Sequence, residues 1–436
     1  MQHAVTLMKE KCKGCTTCIK QCPTEAIRVR RGRATIIDER CIDCGQCIRV
    51  CPHYAKRAVY DSIKRLEEFP YTVALPAPAL YGQFQNLDDV NQVLAGLLEI
   101  GFDHVYEVSK GAEMLSESTR HALAAEPFEK PLISSACPAV VRLICTRFPK
   151  LIGNIAKHIA PMELAAIHAR EEAVERTGLL PGQIGIFFIT PCPAKVTAIH
   201  APDHLHKPVI DGAFSMTEIY KKLLGHMRRE NLPRLAESGM TGVAWALSGG
   251  ESSSLALEDH LAVDGIEHVI EVLEEVEDGK IRHVSFLELG ACNQGCVGGC
   301  LTVENPYVAK ARIRQLMKHM PKSRNKLNPQ DLKAETVLSD KLFEESSVWH
   351  LAENRTLAME RYQKISVLIE LLPGLDCGSC GTPCCRALAE DVVLGFASED
   401  DCIFRMRERM QTISETGDAD AYLPPPFRKG KEADES

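Results

Sequence analysis

The 436-residue sequence predicts an α/β domain set between two small cysteine-rich modules, an α+β one ahead of it and a helical one behind it. Three observations carry that prediction. Two copies of one cysteine spacing stand near the start of the chain, between Cys12 and Pro52. From Tyr71 to Pro321 short apolar runs alternate with helical periods, the pattern of layered helices and parallel strands. A last group of cysteines closes the chain between Cys377 and Cys402.

Composition narrows the class before any motif is read. With 45% hydrophobic and 25% charged residues the chain is ordinary for a globular protein, which argues against intrinsic disorder. A length of 436 residues at about 150 per domain gives two to four domains. A net charge of −8 and 6% aromatics make no case for nucleic-acid or membrane partners. The longest apolar candidate, Ile184–Ile189, falls far short of the roughly 18 residues of a membrane span. Met1–Glu10 has no apolar signal region, so a cytoplasmic protein is expected. The cytosol keeps thiols reduced, and 19 cysteines then call for metal rather than disulfides.

Spacing says which metal. Cys12, Cys15, Cys18 and Cys22 precede Pro23, and Cys41, Cys44, Cys47 and Cys51 precede Pro52, so C-x2-C-x2-C-x3-C-P occurs twice. This is the two-cluster bacterial ferredoxin run, in which the fourth cysteine of each set serves the other cluster. Cys12, Cys15, Cys18 and Cys51 would hold one [4Fe–4S] cluster, and Cys41, Cys44, Cys47 and Cys22 the other. Zinc sites use two C-x2-C pairs and have no use for a third cysteine two residues on. The repeat makes this region one unit of about 60 residues. Its 12 Lys/Arg against 5 Asp/Glu offset the clusters' anionic charge and could attract an acidic redox partner; a solvated basic face accounts equally well for Arg28–Arg33.

In the middle region, Asp88–Ile100 reads as a helix ending at Gly101, His104–Val108 and Pro131–Ser135 as strands, and Pro161–Glu175 as a helix stopped by Gly178. Ile184–Ile189 and Val284–Leu289 read as further strands. Cys137, Cys192 and Cys292 each stand just beyond a predicted strand, the edge of an open α/β sheet where ligands bind. With Cys296 they form a second constellation, set in ACNQGCVGGC, where glycines would let backbone approach a bulky inorganic group.

The same residues resemble a known family. Ser134–Ile144 (SSACPAVVRLI), Thr190–Lys195 (TPCPAK) and Leu287–Gly299 (LELGACNQGCVGG) look like the three H-cluster signatures of [FeFe]-hydrogenases. Gly101–Met114 and Ala74–Phe84, the latter holding Pro78, are similar to that family's intervening segments. The resemblance implies an α/β H-cluster domain. In it Cys137, Cys192, Cys292 and Cys296 would hold a [4Fe–4S] cluster, with Cys296 bridging to a diiron centre carrying CO, cyanide and azadithiolate. It further implies H2 and protons as reactants, Lys195 donating to a cyanide, and Ala136 and Pro78 beside the cofactor. Hydrogenase maturation proteins and a redox partner, ferredoxin or a signalling protein, would serve it.

Three departures set the chain apart. Ala136 replaces the family's proton-relaying cysteine, while Gly290 and Thr190 replace methionines, which removes sulfur packing and leaves room for water. SSACPA with TPCPAK resembles the sensory branch, here without a PAS domain, and implies slow turnover and another proton path.

The third constellation, Cys377, Cys380, Cys385 and Cys402, is similar to the small [4Fe–4S] module of corrinoid iron–sulfur proteins and sensory hydrogenases. Cys384 competes with Cys385 for the third position, and zinc is the alternative metal. Cys145, Cys300 and Cys384 are then left over; Cys145 reads as core, and Cys300 as packing in preference to an accessory thiol. His200, His204 and His206 read as solvated loop histidines. The expected boundaries are 1–62 for the ferredoxin domain, 70–320 for the α/β domain, 321–360 for a helical connector, 361–410 for the helical cluster module and 411–436 for a polar tail. Two functions fit: a low-turnover, H2-sensing [FeFe]-hydrogenase, or a hydrogenase-like iron–sulfur scaffold or assembly protein lacking the diiron centre.

Overall fold

A computed structural model describes residues 3–125, 130–227, 231–326, 337–346 and 351–413; the expected tail falls largely outside them. In chain order the strands are β1 (Val5–Leu7), β2 (Ile27–Arg30), β3 (Arg33–Ile36), β4 (Lys56–Ala58), β5 (Tyr71–Pro76), β6 (His104–Val105), β7 (Leu132–Ile133), β8 (Ile184–Thr190), β9 (Gly212–Ser215), β10 (His260–Asp264) and β11 (Phe286–Gly290). The chain divides into two compact units. One comprises Met1–Thr6, Cys41–Arg49 and Lys56–Ser346, the other Leu7–Arg40, Val50–Ala55 and Ser347–Ser436.

The first unit is α/β. Its larger sheet has the order β6-β5-β8-β9 and its smaller one β10-β11-β7, and every neighbour in both is parallel. A strand covered on both faces needs a continuous apolar run, and all seven residues of β8 are buried. Phe187 on β8 stacks on Phe214 of β9 at 4.9 Å between centroids, which fills the space between sheet and helices. Helix Pro161–Thr177 starts with proline at its first position, takes the Ala160 N–H on Glu163 at 2.7 Å, and stops at Gly178 with φ 70°.

Two expectations need correction. His104–Val108 is a strand only as far as Val105; Val108 opens helix Val108–Ala125, whose buried positions include Ser109, Glu113 and Ser116. That face has no apolar stripe to read, because its polar groups are satisfied by other segments. Glu113 accepts from the N–H groups of Gly239 at 2.8 Å and Asn325 at 2.9 Å. The region 321–354 holds no α-helix among its described residues. Its backbone is spent elsewhere: Pro321 O takes the Met240 N–H at 2.7 Å, and Val337 O takes that of Ile159 at 3.1 Å. The helix begins at Arg355, capped by Asn354.

Two of the three histidines also differ from expectation, while His206 is an exposed loop residue. His204 is nearly buried and bonds Glu163 at 2.8 Å, and His200 closes helix Pro193–His200 against Asp61 at 2.8 Å.

The second unit joins a short hairpin to a helical pair. β2 and β3 are antiparallel, connected by Arg31-Gly32 with φ 49° and 71°, the doubly positive turn that matches strand twist. Helices Arg355–Leu371 and Cys385–Val393 enclose a small core of Ile365, Leu372, Leu388, Ala389 and Cys402.

Asp61 gathers His200, Arg65 at 3.1 Å and the Ala213 N–H at 2.8 Å. Burial opposes its ionisation, but these partners outweigh burial and hold its carboxyl below the ordinary range. Its stabilisation is therefore present above the unfolded carboxylate pKa and lost as pH falls through the lowered one. Asp61→Asn should cost about 2 kcal/mol at pH 7, and the cost should shrink as pH falls below the ordinary carboxylate range, as read from denaturant midpoints across that range.

Candidate metal centre

Both Cys-Pro pairs turn out to be helix starts. Cys137 is the N-cap and Pro138 the first residue of helix Pro138–Arg147; Cys192 and Pro193 do the same for Pro193–His200. Proline there loses no needed N–H, and the helix N-terminus favours a thiolate at the cap. Thr190, wholly buried, holds Cys192 in place by accepting its N–H at 3.3 Å and donating to its carbonyl at 3.0 Å.

Parallel strands of two sheets deliver the cysteines to one place. β8 leads to Cys192, while β7 and β11, paired through Leu132↔Phe286, lead to Cys137 and Cys292. Cys296 opens the short turn Cys296–Gly298. All four line one cavity with about 670 Å³ of space free of protein atoms, and Lys195 and Ala136 line it too. Pro78 does not: it is buried at the start of the turn Pro78–Gln83, outside the cavity lining. The glycines of this loop also serve backbone packing. A Cβ at Gly299 would sit 2.2 Å from Pro191 O, and one at Gly298 2.1 Å from Asn293 O. Gly290 leaves open space, since a Cβ there meets nothing nearer than Val263 O at 3.9 Å.

Electrostatics distinguish the bare thiols from a loaded site. Burial raises the thiol pKa values of Cys137, Cys192 and Cys292, the last to about 12. Burial works against the Lys195 ammonium, but Cys296, Cys192 and Cys137 outweigh it and raise its pKa; its Nζ lies 3.6 Å from Cys296 Sγ. Arg49 donates to Cys292 Sγ at 3.4 Å and to the Gly298 carbonyl. Four soft thiols with two cations and two helix N-termini suit an anionic iron–sulfur cluster, so the donor set fits that group.

Two carboxylic acids at this cavity escaped the sequence reading. Glu251 accepts from the Ser134 hydroxyl at 2.6 Å, and Ser134 Oγ in turn accepts the Ala136 N–H at 3.2 Å. Glu288 accepts from Gly249 N–H at 2.9 Å and from Ser252 N–H and hydroxyl at 2.8 and 2.7 Å. Burial first, and then Glu288's charge, push Glu251 up to about 8 against the Ser134 bond; burial also raises Glu288. No sequence signal marks Glu251, because its shift comes from burial and from Glu288, which is distant in sequence.

The remaining cysteines fall by unit. Cys12, Cys15, Cys18 and Cys51 all belong to the second unit, where Cys12 Sγ takes the Ala34 N–H at 3.4 Å and Cys51 Sγ that of Ala55 at 3.2 Å. Cys41, Cys44 and Cys47 belong to the first unit and Cys22 to the second, so their grouping rests on spacing. Asp43, between Cys41 and Cys44, is saturated by Ala4 and Val5 N–H, Thr197 and Arg142. Cys380, Cys385 and Cys402 pack on the apolar core of the second unit, and Cys377 is exposed. Cys384 Sγ instead takes the Ala387 N–H at 3.4 Å and donates to Glu25 at 3.6 Å. Cys145 packs on an apolar cluster, and Cys300 abuts the position where Gly45 would carry a Cβ. No described helix is long and apolar enough to cross a membrane.

Comparisons with known proteins agree with this geometry. Residues 70–250 match the family model of the iron only hydrogenase large subunit, C-terminal domain. Residues 4–52 match the 4Fe-4S dicluster domain, and residues 372–404 the FeS family of Fe-S cluster segments. The chain is 23% identical over 271 residues to Iron hydrogenase 1 of Clostridium pasteurianum, covering 50% of this chain and 46% of that protein. It is 23% identical over 263 residues to the NADP-reducing hydrogenase subunit HndD of Solidesulfovibrio fructosivorans, covering 48% and 44%. It thus spans under half the length of these relatives. A solved structure of the apo [FeFe]-hydrogenase HydA1 from Chlamydomonas reinhardtii shares the fold, with TM-score 0.50, 15% identity, and coverage of 65% of this chain and 98% of that one.

Gly299→Ala should displace the loop of Cys292 and Cys296 from Pro191. The expected result is protein lacking one cubane's iron by metal analysis, with its dicluster signals intact in electron paramagnetic resonance.

Proposed function

We propose that the chain is a low-turnover, H2-sensing member of the [FeFe]-hydrogenase family that interconverts H2 with protons and electrons. The observation that carries this reading is the Lys195 ammonium set against Cys296 Sγ inside a cavity ringed by all four expected cysteines. A scaffold that keeps only a cubane has no use for a buried ammonium beyond its bridging ligand.

Cys137, Cys192, Cys292 and Cys296 would hold the cubane, and Cys296 the diiron centre as well. That centre, when bound, supplies heterolytic cleavage and formation of H2. Lys195 anchors its anionic ligands as a desolvated point charge. Ala136 offers only a methyl group where the family has its proton-relaying thiol. Glu251, linked through Ser134 to the Ala136 backbone, is the acid at the cavity able to hold the proton. Its pKa near 8 keeps it protonated at neutral pH and able to exchange. The N-terminal cysteines and Cys377, Cys380, Cys385 and Cys402 would hold clusters that supply electron transfer toward ferredoxin or a signalling protein. Cys385 is favoured over Cys384, whose sulfur already caps a helix.

Infrared spectra of anaerobic protein supplied with a synthetic diiron complex test this reading. Bands of iron-bound CO and cyanide that respond to H2 are expected; their absence with intact cubanes would favour the scaffold. Glu251→Gln should lower turnover by about 100-fold with metal content unchanged. H2 evolution, which needs the protonated acid, should fall as pH rises through about 8, and H2 oxidation, which needs the base, should rise over the same range.

A further inference from the structure

We infer that the C-terminal cysteine module is a fixed relay that exchanges single electrons directly with the cluster of Cys12, Cys15, Cys18 and Cys51, without any swing of the module. This rests on the iron–sulfur reading of both cysteine sets proposed above. Both sets belong to one compact unit, within which the segments that carry them are hydrogen-bonded to each other.

The loop from Cys377 to Cys380 lies on the helix that carries Cys18. A Cβ at Gly378 would be 2.9 Å from Lys20 Cε and 3.6 Å from Ile19 Cδ1, and the Lys20 ammonium donates to the Asp376 carbonyl. Gly378 follows Cys377 and Ile19 follows Cys18, so residues adjacent to ligands of the two sets face one another with no room for a side chain at Gly378. At the other end of the loop the Arg30 guanidinium donates to the Cys380 carbonyl at 2.8 Å. Val29 N–H donates to Gly381 O at 2.8 Å, and a Cβ at Gly381 would strike Val29 O at 2.0 Å. Both glycines have φ near +80°, so the loop is shaped to fit this surface at a conformation other residues resist.

Charge locks the fit. Asp391 is nearly buried and takes Arg28 Nε at 2.8 Å, Arg28 Nη2 at 3.1 Å and Arg30 Nη2 at 2.7 Å. Arg386 clasps both carboxylate oxygens of Glu25, at 3.0 and 3.1 Å, three residues beyond Cys22. A module that docked and undocked would meet its partner through solvated side chains. Here the Arg28 and Arg30 bonds to Asp391, the Arg386 pair with Glu25 and the Val29–Gly381 backbone bond would all have to break together for the module to part. In each transfer one cluster is oxidised by one electron and the other reduced by one, and no proton or third reactant takes part.

Electron paramagnetic resonance of the full chain, reduced with dithionite, tests the relay. In the unaltered protein the dicluster signals should show faster spin relaxation and broadening from the C-terminal cluster. Cys402→Ala, which removes that cluster, should abolish the effect. Asp391→Ala should weaken it at unchanged iron content, and Asp391→Glu should retain it. Dicluster signals identical with and without the C-terminal cluster would overturn the relay. Should Asp391→Ala lose iron, the comparison with Cys402→Ala still decides. Absence of a C-terminal cubane signal from the unaltered protein would instead sink the iron–sulfur reading, a result visible in iron content before any coupling is measured.

Discussion

Four sulfur atoms from three distant segments must meet at one cavity, and parallel strand ends are what bring them there. β8 belongs to one sheet and β7 and β11 to another, yet all three run out toward the same cavity. Each Cys-Pro pair then converts a strand exit into a helix start with the sulfur at the cap. The approach of the Cys296–Gly299 turn to Pro191 closes the ring, and it is possible only because Gly299 has no side chain. Everything proposed of the site, from cubane ligation to the placement of Lys195 two residues beyond Pro193, depends on that convergence.

Bringing thiols together is costly if they ionise, and the raised pKa values of Cys137, Cys192 and Cys292 express that cost. Loading with iron must expel those protons, so metal binding and proton release are linked, and the gain comes from sulfur–metal bonds together with Lys195, Arg49 and two helix N-termini. The same groups that make the bare site tolerable to a folding chain make the loaded site electrostatically matched to an anionic cluster.

What could be read from sequence followed from how local each cause is. The ferredoxin doublet is a spacing within one loop, and β8 is an apolar run, so both were legible without tertiary knowledge. Helix Val108–Ala125 was not, because Ser109, Glu113 and Ser116 are buried through partners far along the chain. The segment after Pro321 misled for the opposite reason: its polar composition suited a solvated helix, while its backbone is committed to residues such as Met240 and Ile159. Glu251 looked like any glutamate in a serine-rich run. The union of the hairpin at Arg28–Arg30 with Asp391 was beyond reach, since nothing near either residue announces the other.

The proton and electron sides of this molecule are unevenly equipped. Electron handling has sixteen cysteines in three motif groups, counting the eight of the doublet, with the C-terminal set keyed to its neighbour by buried charge. Proton handling has lost the thiol at Ala136 and leans on Glu251, whose carboxyl reaches the Ala136 backbone only through the Ser134 hydroxyl. A serine can pass a proton only by accepting one while giving another, so the carboxyl and hydroxyl must move in concert, and Glu288's charge holds Glu251 toward its protonated form. A site arranged this way delivers electrons more readily than protons. Under that constraint the proposed sensing role, in which occasional turnover sets the redox state of attached clusters, asks less of the proton side than rapid gas production would.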